Sequence, residues 1–161
     1  RKVVVWFFIA TFALTVAADA ARAAAEDDKA VKQANDAFYS ALNALFEGEV
    51  DAMSDVWSHA ADVTYMGPGG ALEVRWNEVL ENWQKQAAKK LGGEVNPEKM
   101  RVTVGRDLAV ISCIEIGENI ENGKPLKVSI RATNIFRKER GTWKMIGHHT
   151  DLLPHLQEYA E

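Results

Sequence analysis

The stretch IRATNIFRKERGTWKMIGHH, residues 130–149, is two β-strands with a charged turn between them. Apolar and polar side chains alternate, RKERG interrupts them, and Trp143 opens a second run, which is a hairpin pattern. Strands also precede it: MRVTV (100–104) turns at GRD into LAVISCIEI (108–116), and ENGKP leads to LKVSIRATNIFR (126–137). Ahead of these lie helical patterns. Residues 27–47 place Val31, Ala34, Phe38, Ala41, Leu42 and Leu45 on one helix face, stopped by Gly48. VDAMSDVW (50–57) reads as a short second helix with Asp51 as N-cap. DVTYM (62–66) is a short strand entering the turn GPGG (67–70). Trp76, Val79, Leu80, Trp83 and Ala87 mark a third helix closed by Gly92 and Gly93. The fold class expected is α+β: three N-terminal helices packed on a strongly curved, mainly antiparallel sheet that encloses a pocket.

The 161 residues suffice for one domain that buries about two-thirds of its surface. Arg1 and Lys2 precede an uncharged apolar run, residues 3–18, and then small-x-small sites at 18–25. This is the pattern of a signal peptide over 1–23, with cleavage near 23–25 and the folded domain at 26–161. An exported protein, periplasmic or secreted and free of the membrane after cleavage, is the expectation; an uncleaved N-terminal anchor is the alternative. The whole chain carries a net charge of −4, and losing Arg1, Lys2 and Arg22 with only Asp19 makes the remainder more acidic. Such a surface repels nucleic acid and anionic lipid. A small molecule or a second copy of the chain is the expected partner. Cys113 is the only cysteine, so stability rests on packing, and a buried strand thiol is expected.

Catalytic and cofactor signatures are sparse. GPGGAL has Leu72 where a dinucleotide fingerprint needs its third glycine, so no cofactor is expected. No serine occupies a G-x-S-x-G elbow, and Cys113 has no adjacent base in the sequence. Side chains alternate along a strand, so His148 and His149 point to opposite sides and do not share a metal. His59 and His155 complete no ligand spacing, and no metal site is expected. On residues 108–116, Leu108, Val110, Ser112, Ile114 and Ile116 share one face, and Cys113 and Glu115 the other. The face without the charge is expected inside. On the last strand Ile146, His148 and Thr150 share one parity, with Met145, Gly147, His149 and Asp151 on the other.

DVWSHAADVTYMGPGG (55–70), the helix around Trp76 and Trp83, and the hairpin 130–149 together resemble the NTF2-like superfamily, and within it the SnoaL-like proteins. The resemblance spans roughly residues 28–153. It implies a cone-shaped domain with an apolar pocket, often dimerising through the outer sheet face. It also implies that the Ile146, His148 and Thr150 face lines the pocket. The related ketosteroid isomerases carry a tyrosine on the first helix, matched by Tyr39 in FYSALN. Their general base is an aspartate before a proline, where this chain has Gly67 before Pro68; their second oxyanion donor falls near Thr133.

His148 is thus the candidate proton-transfer residue, since imidazole titrates near neutrality, with Tyr39 as its partner. The alternative for His148 is a neutral ring that hydrogen-bonds a ligand or a neighbour. Trp57, Tyr65, Trp83, Ser112, Ile114, Arg131, Thr133, Ile146 and Thr150 are the expected pocket lining. Arg131 is expected either to bind a ligand carboxylate or to be neutralised by an acid such as Asp62. Three functions remain open: an exported binder of a small apolar molecule; an isomerase, dehydratase or cyclase of the same fold; and a partner-binding module with a filled pocket.

Overall fold

The computed structural model describes the backbone of residues 4–156 and the side chains of 21–120 and 122–156. The signal segment expected over 1–23 falls almost wholly outside the residues whose side chains are described. Helix α1 (Val4–Phe46) is followed by α2 (Asp51–Val56), β1 (Thr64–Met66), β2 (Glu73–Val74) and α3 (Trp76–Lys89). Four long strands complete the fold: β3 (Gly93–Val104), β4 (Leu108–Glu121), β5 (Lys124–Glu139) and β6 (Thr142–Thr150). They form one six-stranded sheet in the order β2-β1-β6-β5-β4-β3, antiparallel except where β1 runs parallel to β6.

The expected plan of elements stands, with differences at their bounds. α1 reaches back to Val4 rather than starting near 27, and Val50, not Asp51, is the N-cap of α2, which has no side-chain cap hydrogen bond. β2 is a two-residue strand that the turn-like composition after GPGG concealed, and β3 begins at Gly93 rather than 100. Gly48 ends α1 in a left-handed conformation (φ 102°), its amide bonding Leu45 O at 2.9 Å, a helix stop that glycine adopts without strain. Asn122-Gly123, both at positive φ, form the tight β4–β5 turn.

The core lies between the helices and one face of the sheet. Val31, Phe38, Leu42 and Leu45 of α1, Val79 and Trp83 of α3, and Ala109, Ile111, Val128, Phe136 and Met145 of the sheet are buried. Two irregularities aim the site. The β5–β6 register slips between Ile135 and Phe136: Phe136 faces Met145 while Ile135 faces Gly147. Ile146 is therefore the extra residue of a β-bulge, which lets both Met145 and His148 turn inward despite their opposite sequence parity. A second bulge, between Glu98 and Arg101, bends β3.

Candidate functional site

The β5 alternation sets which sheet face is interior. Val128, Ile130, Ala132, Asn134 and Phe136 are buried, whereas Lys127, Ser129 and Arg131 are exposed. Cross-strand pairing places Cys113 opposite Ala132 and Glu115 opposite Ile130, so both point inward with Asn119. The expected β4 face is therefore reversed. Leu108, Val110 and Ser112 are exposed and Ile114 and Ile116 half-buried, on the outer face with Arg131 and Thr133. Ser112, Ile114, Arg131 and Thr133 do not line the pocket. From 108 to 116 both faces of β4 are mainly apolar, so a charge on one does not mark that face as outer: Glu115 is buried because partners receive it.

Those partners come from α1 and β6. Tyr39 Oη donates to Glu115 Oε1 at 3.0 Å, and His148 Nε2 lies 3.6 Å from the same oxygen. Asn134 Oδ1 is 2.6 Å from His148 Nδ1. An amide oxygen only accepts, so Nδ1 carries the proton and the neutral ring presents its Nε2 lone pair toward Glu115. Asn134 is oriented in turn by donating to Asn35 Oδ1 at 2.8 Å and to Tyr39 Oη at 3.3 Å. The imidazole lies between Phe38 and Tyr65, with centroid distances of 4.8 and 5.8 Å.

Burial dominates the electrostatics. Desolvation pushes the Glu115 carboxyl up to about 7, with the Tyr39 hydrogen bond pulling the other way. Desolvation, with a smaller contribution from His149, lowers His148 to about 3. The pair is thus a carboxylic acid beside a neutral imidazole at mildly acidic pH, not a full ion pair. The Tyr39 phenol is raised by burial and by Glu115, and remains protonated.

Glu115 and His148 line a small inner cavity of about 30 Å³, together with Tyr65, Trp83 and Asn119. Above it opens a funnel of about 790 Å³ at the mouth of the cone, lined by the 67–71 turn, Glu73, Asn82, Gln86 and Leu152. Tyr65, Pro68, Gln86 and Leu156 line both spaces. Tyr39 lines neither: its hydroxyl is committed to Glu115 from behind.

A SnoaL-like domain family model matches residues 31–152. The chain belongs to the SnoaL-like family. Solved structures agree on the fold. A candidate dehydratase of the NTF2-like family from Streptomyces avermitilis superposes with TM-score 0.69 at 25% identity, covering 80% of this chain and 97% of that one. An NTF2-like protein with a cystatin-like fold from Novosphingobium aromaticivorans gives TM-score 0.68 at 18% identity over 84% and 88%. A candidate ketosteroid isomerase from Shewanella frigidimarina gives 0.60 at 21% over 74% and 92%. Among curated proteins, the F-box protein SKIP8 of Arabidopsis thaliana is 23% identical over 125 residues, 78% of this chain. The chain spans about half the length of that relative.

Other expected positions of this SnoaL-like domain resolve individually. Trp57 is buried core and lines neither cavity. Ile146 is the bulge residue and is only half-buried. Thr150 shares the inward side with His148, pairing with Ala132, and its hydroxyl is buried without a partner. Arg131 lies outside and pairs with Asp151 (Nη2–Oδ1 2.7 Å), while Asp62 pairs with Arg137. His149 faces outward and contacts Thr64 Oγ1 at 3.1 Å. Cys113, without a base beside it in sequence, lies 3.3 Å from Tyr39 Oη, and burial raises its thiol. A Cβ on Gly67 would collide with the Tyr65 ring and its Oη, so that ring occupies the space a side chain at the isomerase-base position would need. Among the described residues no group of three His, Cys, Asp or Glu is arranged to hold a metal.

Proposed function

We propose that the domain binds a small, largely apolar molecule in its cone and moves a proton on it, with Glu115 as the group that gives and takes the proton and His148 as the neutral ring beside it. The carrying observation is the buried Glu115–His148 pair, 3.6 Å apart on the cavity wall. A carboxyl titrating at about 7 can give or take a proton near neutrality, and the neutral His148 beside it presents Nε2 as a hydrogen-bond acceptor. Isomerisation needs one group to remove a proton and return it elsewhere. Dehydration needs a base at carbon and an acid at the departing hydroxyl. The similarity to the Streptomyces candidate dehydratase supports this class of chemistry. Tyr39 and Asn134 act through the pair, Tyr39 by binding the carboxylate and Asn134 by holding the tautomer.

The test has two steps. Mass spectrometry on protein from its native compartment identifies the bound compound. Incubating that compound with the protein in D2O then reads proton transfer as deuterium incorporation. Glu115→Gln and His148→Ala are expected to abolish incorporation while binding persists; incorporation at the wild-type rate in both variants would refute the assignment.

A second reading is favoured by the small inner volume: a partner-binding module with the cone filled by side chains, working through its outer face. Leu108 is 52% and Val110 37% exposed on that face, and a homodimer through it is part of the proposal under either reading. Export is also proposed, on the strength of the basic start and apolar run of residues 1–18. The mature N-terminus should then lie near residue 24, and recovery of an intact Arg1 would overturn it.

A further inference from the structure

The bulge between Glu98 and Arg101 changes which residues of β3 face the helices: Val95 does so before it and Val102 after it. Met100 shares the parity of Val102 and reaches α1, where its Sδ lies 3.6 Å from Asn35 Nδ2. A thioether has lone pairs and no proton, so the Asn35 amide nitrogen donates to it. From there the bonds run inward without a break. Asn35 Oδ1 accepts from Asn134 Nδ2 at 2.8 Å, and Asn134 Oδ1 accepts the Nδ1 proton of His148 at 2.6 Å. The His148 Nε2 lone pair then faces Glu115 Oε1, 3.6 Å away. Such a chain has a second setting. With both amides turned over together, Asn35 would donate to Asn134 and Asn134 to Nδ1, leaving the His148 proton on Nε2 against Glu115. The bonds between the three side chains are equal in number either way, so the two ends decide.

We propose that Met100 and Asn35 are positioning residues that hold His148 in its Nδ1–H tautomer: the sulfur fixes the direction of the Asn35 amide, and the two asparagines carry that direction to the ring. At the outer end, a turned Asn35 would set Oδ1 against the Met100 sulfur, two acceptors facing each other. A turned Asn134 would set Oδ1 against Tyr39 Oη, whose proton already goes to Glu115. Asn35 and Asn134 are fully buried, so each of these losses carries the cost of a buried group left unpaired. At the inner end, a protonated Glu115 favours the observed setting and an ionised one the reverse. The other titratable groups around the pair are Tyr39 with Cys113, Tyr65 stacked on the ring, and His149. Burial raises the first three and lowers the last, so all are neutral near pH 7, and no lysine or arginine lines the cavity there. The tautomer bears on the proton transfer proposed above, since it decides whether Glu115 meets a lone pair or an N–H, but it is read with no ligand present.

Met100 is 36% exposed, so substitution there leaves the buried side chains in place. Long-range ¹H–¹⁵N spectra of the His148 ring in the full chain show which nitrogen holds hydrogen. They are recorded at about pH 5.5, where the ring is neutral and Glu115 protonated. Wild type is expected to show Nδ1–H. Met100→Lys puts a donor where the acceptor was, and should turn both amides and move the tautomer ratio about tenfold or more toward Nε2–H. Met100→Leu removes the acceptor without supplying a donor, and should move the ratio less, in the same direction. Nε2–H in wild type, an unmoved ratio in Met100→Lys, or a larger shift in Met100→Leu than in Met100→Lys would each overturn the proposal, the last by showing that packing acts and polarity does not. Nδ1–H in wild type that yields to Met100→Lys, together with wild-type deuterium incorporation in Glu115→Gln and His148→Ala, would sink the proton-transfer reading and leave this one standing.

Discussion

At the scale of single residues, Glu115 and His148 impose opposite pH dependences on stability. Glu115 binds its proton more tightly folded than unfolded, about 7 against 4.5, so it weakens the fold as pH rises from 4.5 through 7. His148 binds its proton less tightly folded, about 3 against 6.5, so it weakens the fold as pH falls from 6.5 to 3. The two slopes nearly cancel between pH 4.5 and 6.5, and stability from this pair peaks there. Glu115→Gln removes only the first slope. Urea denaturation of the two proteins should show the variant gaining about 3 kcal/mol relative to wild type between pH 4.5 and 7.5. A pH-independent difference would mean that the carboxyl titrates normally. His148 was legible in the sequence as a cavity residue; Tyr39, expected as its proton-transfer partner, instead lies behind the cavity, bonded to Glu115. Asn134, which fixes the His148 tautomer, was not, because an asparagine in a strand has no local signature and its partners lie on α1 and β6.

At the scale of elements, β4 and β5 show what the pattern holds and where reading it failed. Over residues 108–116 of β4 both faces are apolar apart from Ser112 on one and Glu115 on the other, so the alternation is ambiguous taken alone. In β5 the signal is clear: Lys127, Ser129, Arg131 and Thr133 oppose Val128, Ile130 and Ala132. Carrying that assignment across the Asn122-Gly123 turn puts Cys113 and Glu115 inside, as the pairing does. The β6 bulge was not legible, because one extra residue leaves no mark in composition, yet it brings Met145 and His148 to the same side. The 67–70 turn makes a separate prediction. Because the Tyr65 ring fills the space over Gly67, Gly67→Asp should not install a working isomerase base. It should cost about 1–3 kcal/mol through overpacking. Thermal denaturation and a steroid isomerase assay check both parts, and a stable, active variant would contradict them.

At the scale of the whole molecule, the α+β plan, the helix faces and the cone were legible because their periodic patterns are long and mutually consistent. The interior wall was not, because it depends on which strand face the helices cover. The reversed β4 face leaves Leu108 and Val110 exposed on the outer sheet, available to a second copy. Val110→Asp should convert a dimer to a monomer in light scattering without lowering the melting temperature of the protomer; an unchanged mass would move the interface elsewhere. The proposed chemistry turns on Glu115 being a buried acid beside His148 with its carboxyl bonded by Tyr39. Its most direct test is a ¹³C NMR titration of the Glu115 side-chain carboxyl. The predicted midpoint is about 7, rising further in Tyr39→Phe as the hydrogen bond to the carboxylate is lost. A midpoint near the ordinary 4.5, unmoved by that substitution, would contradict it.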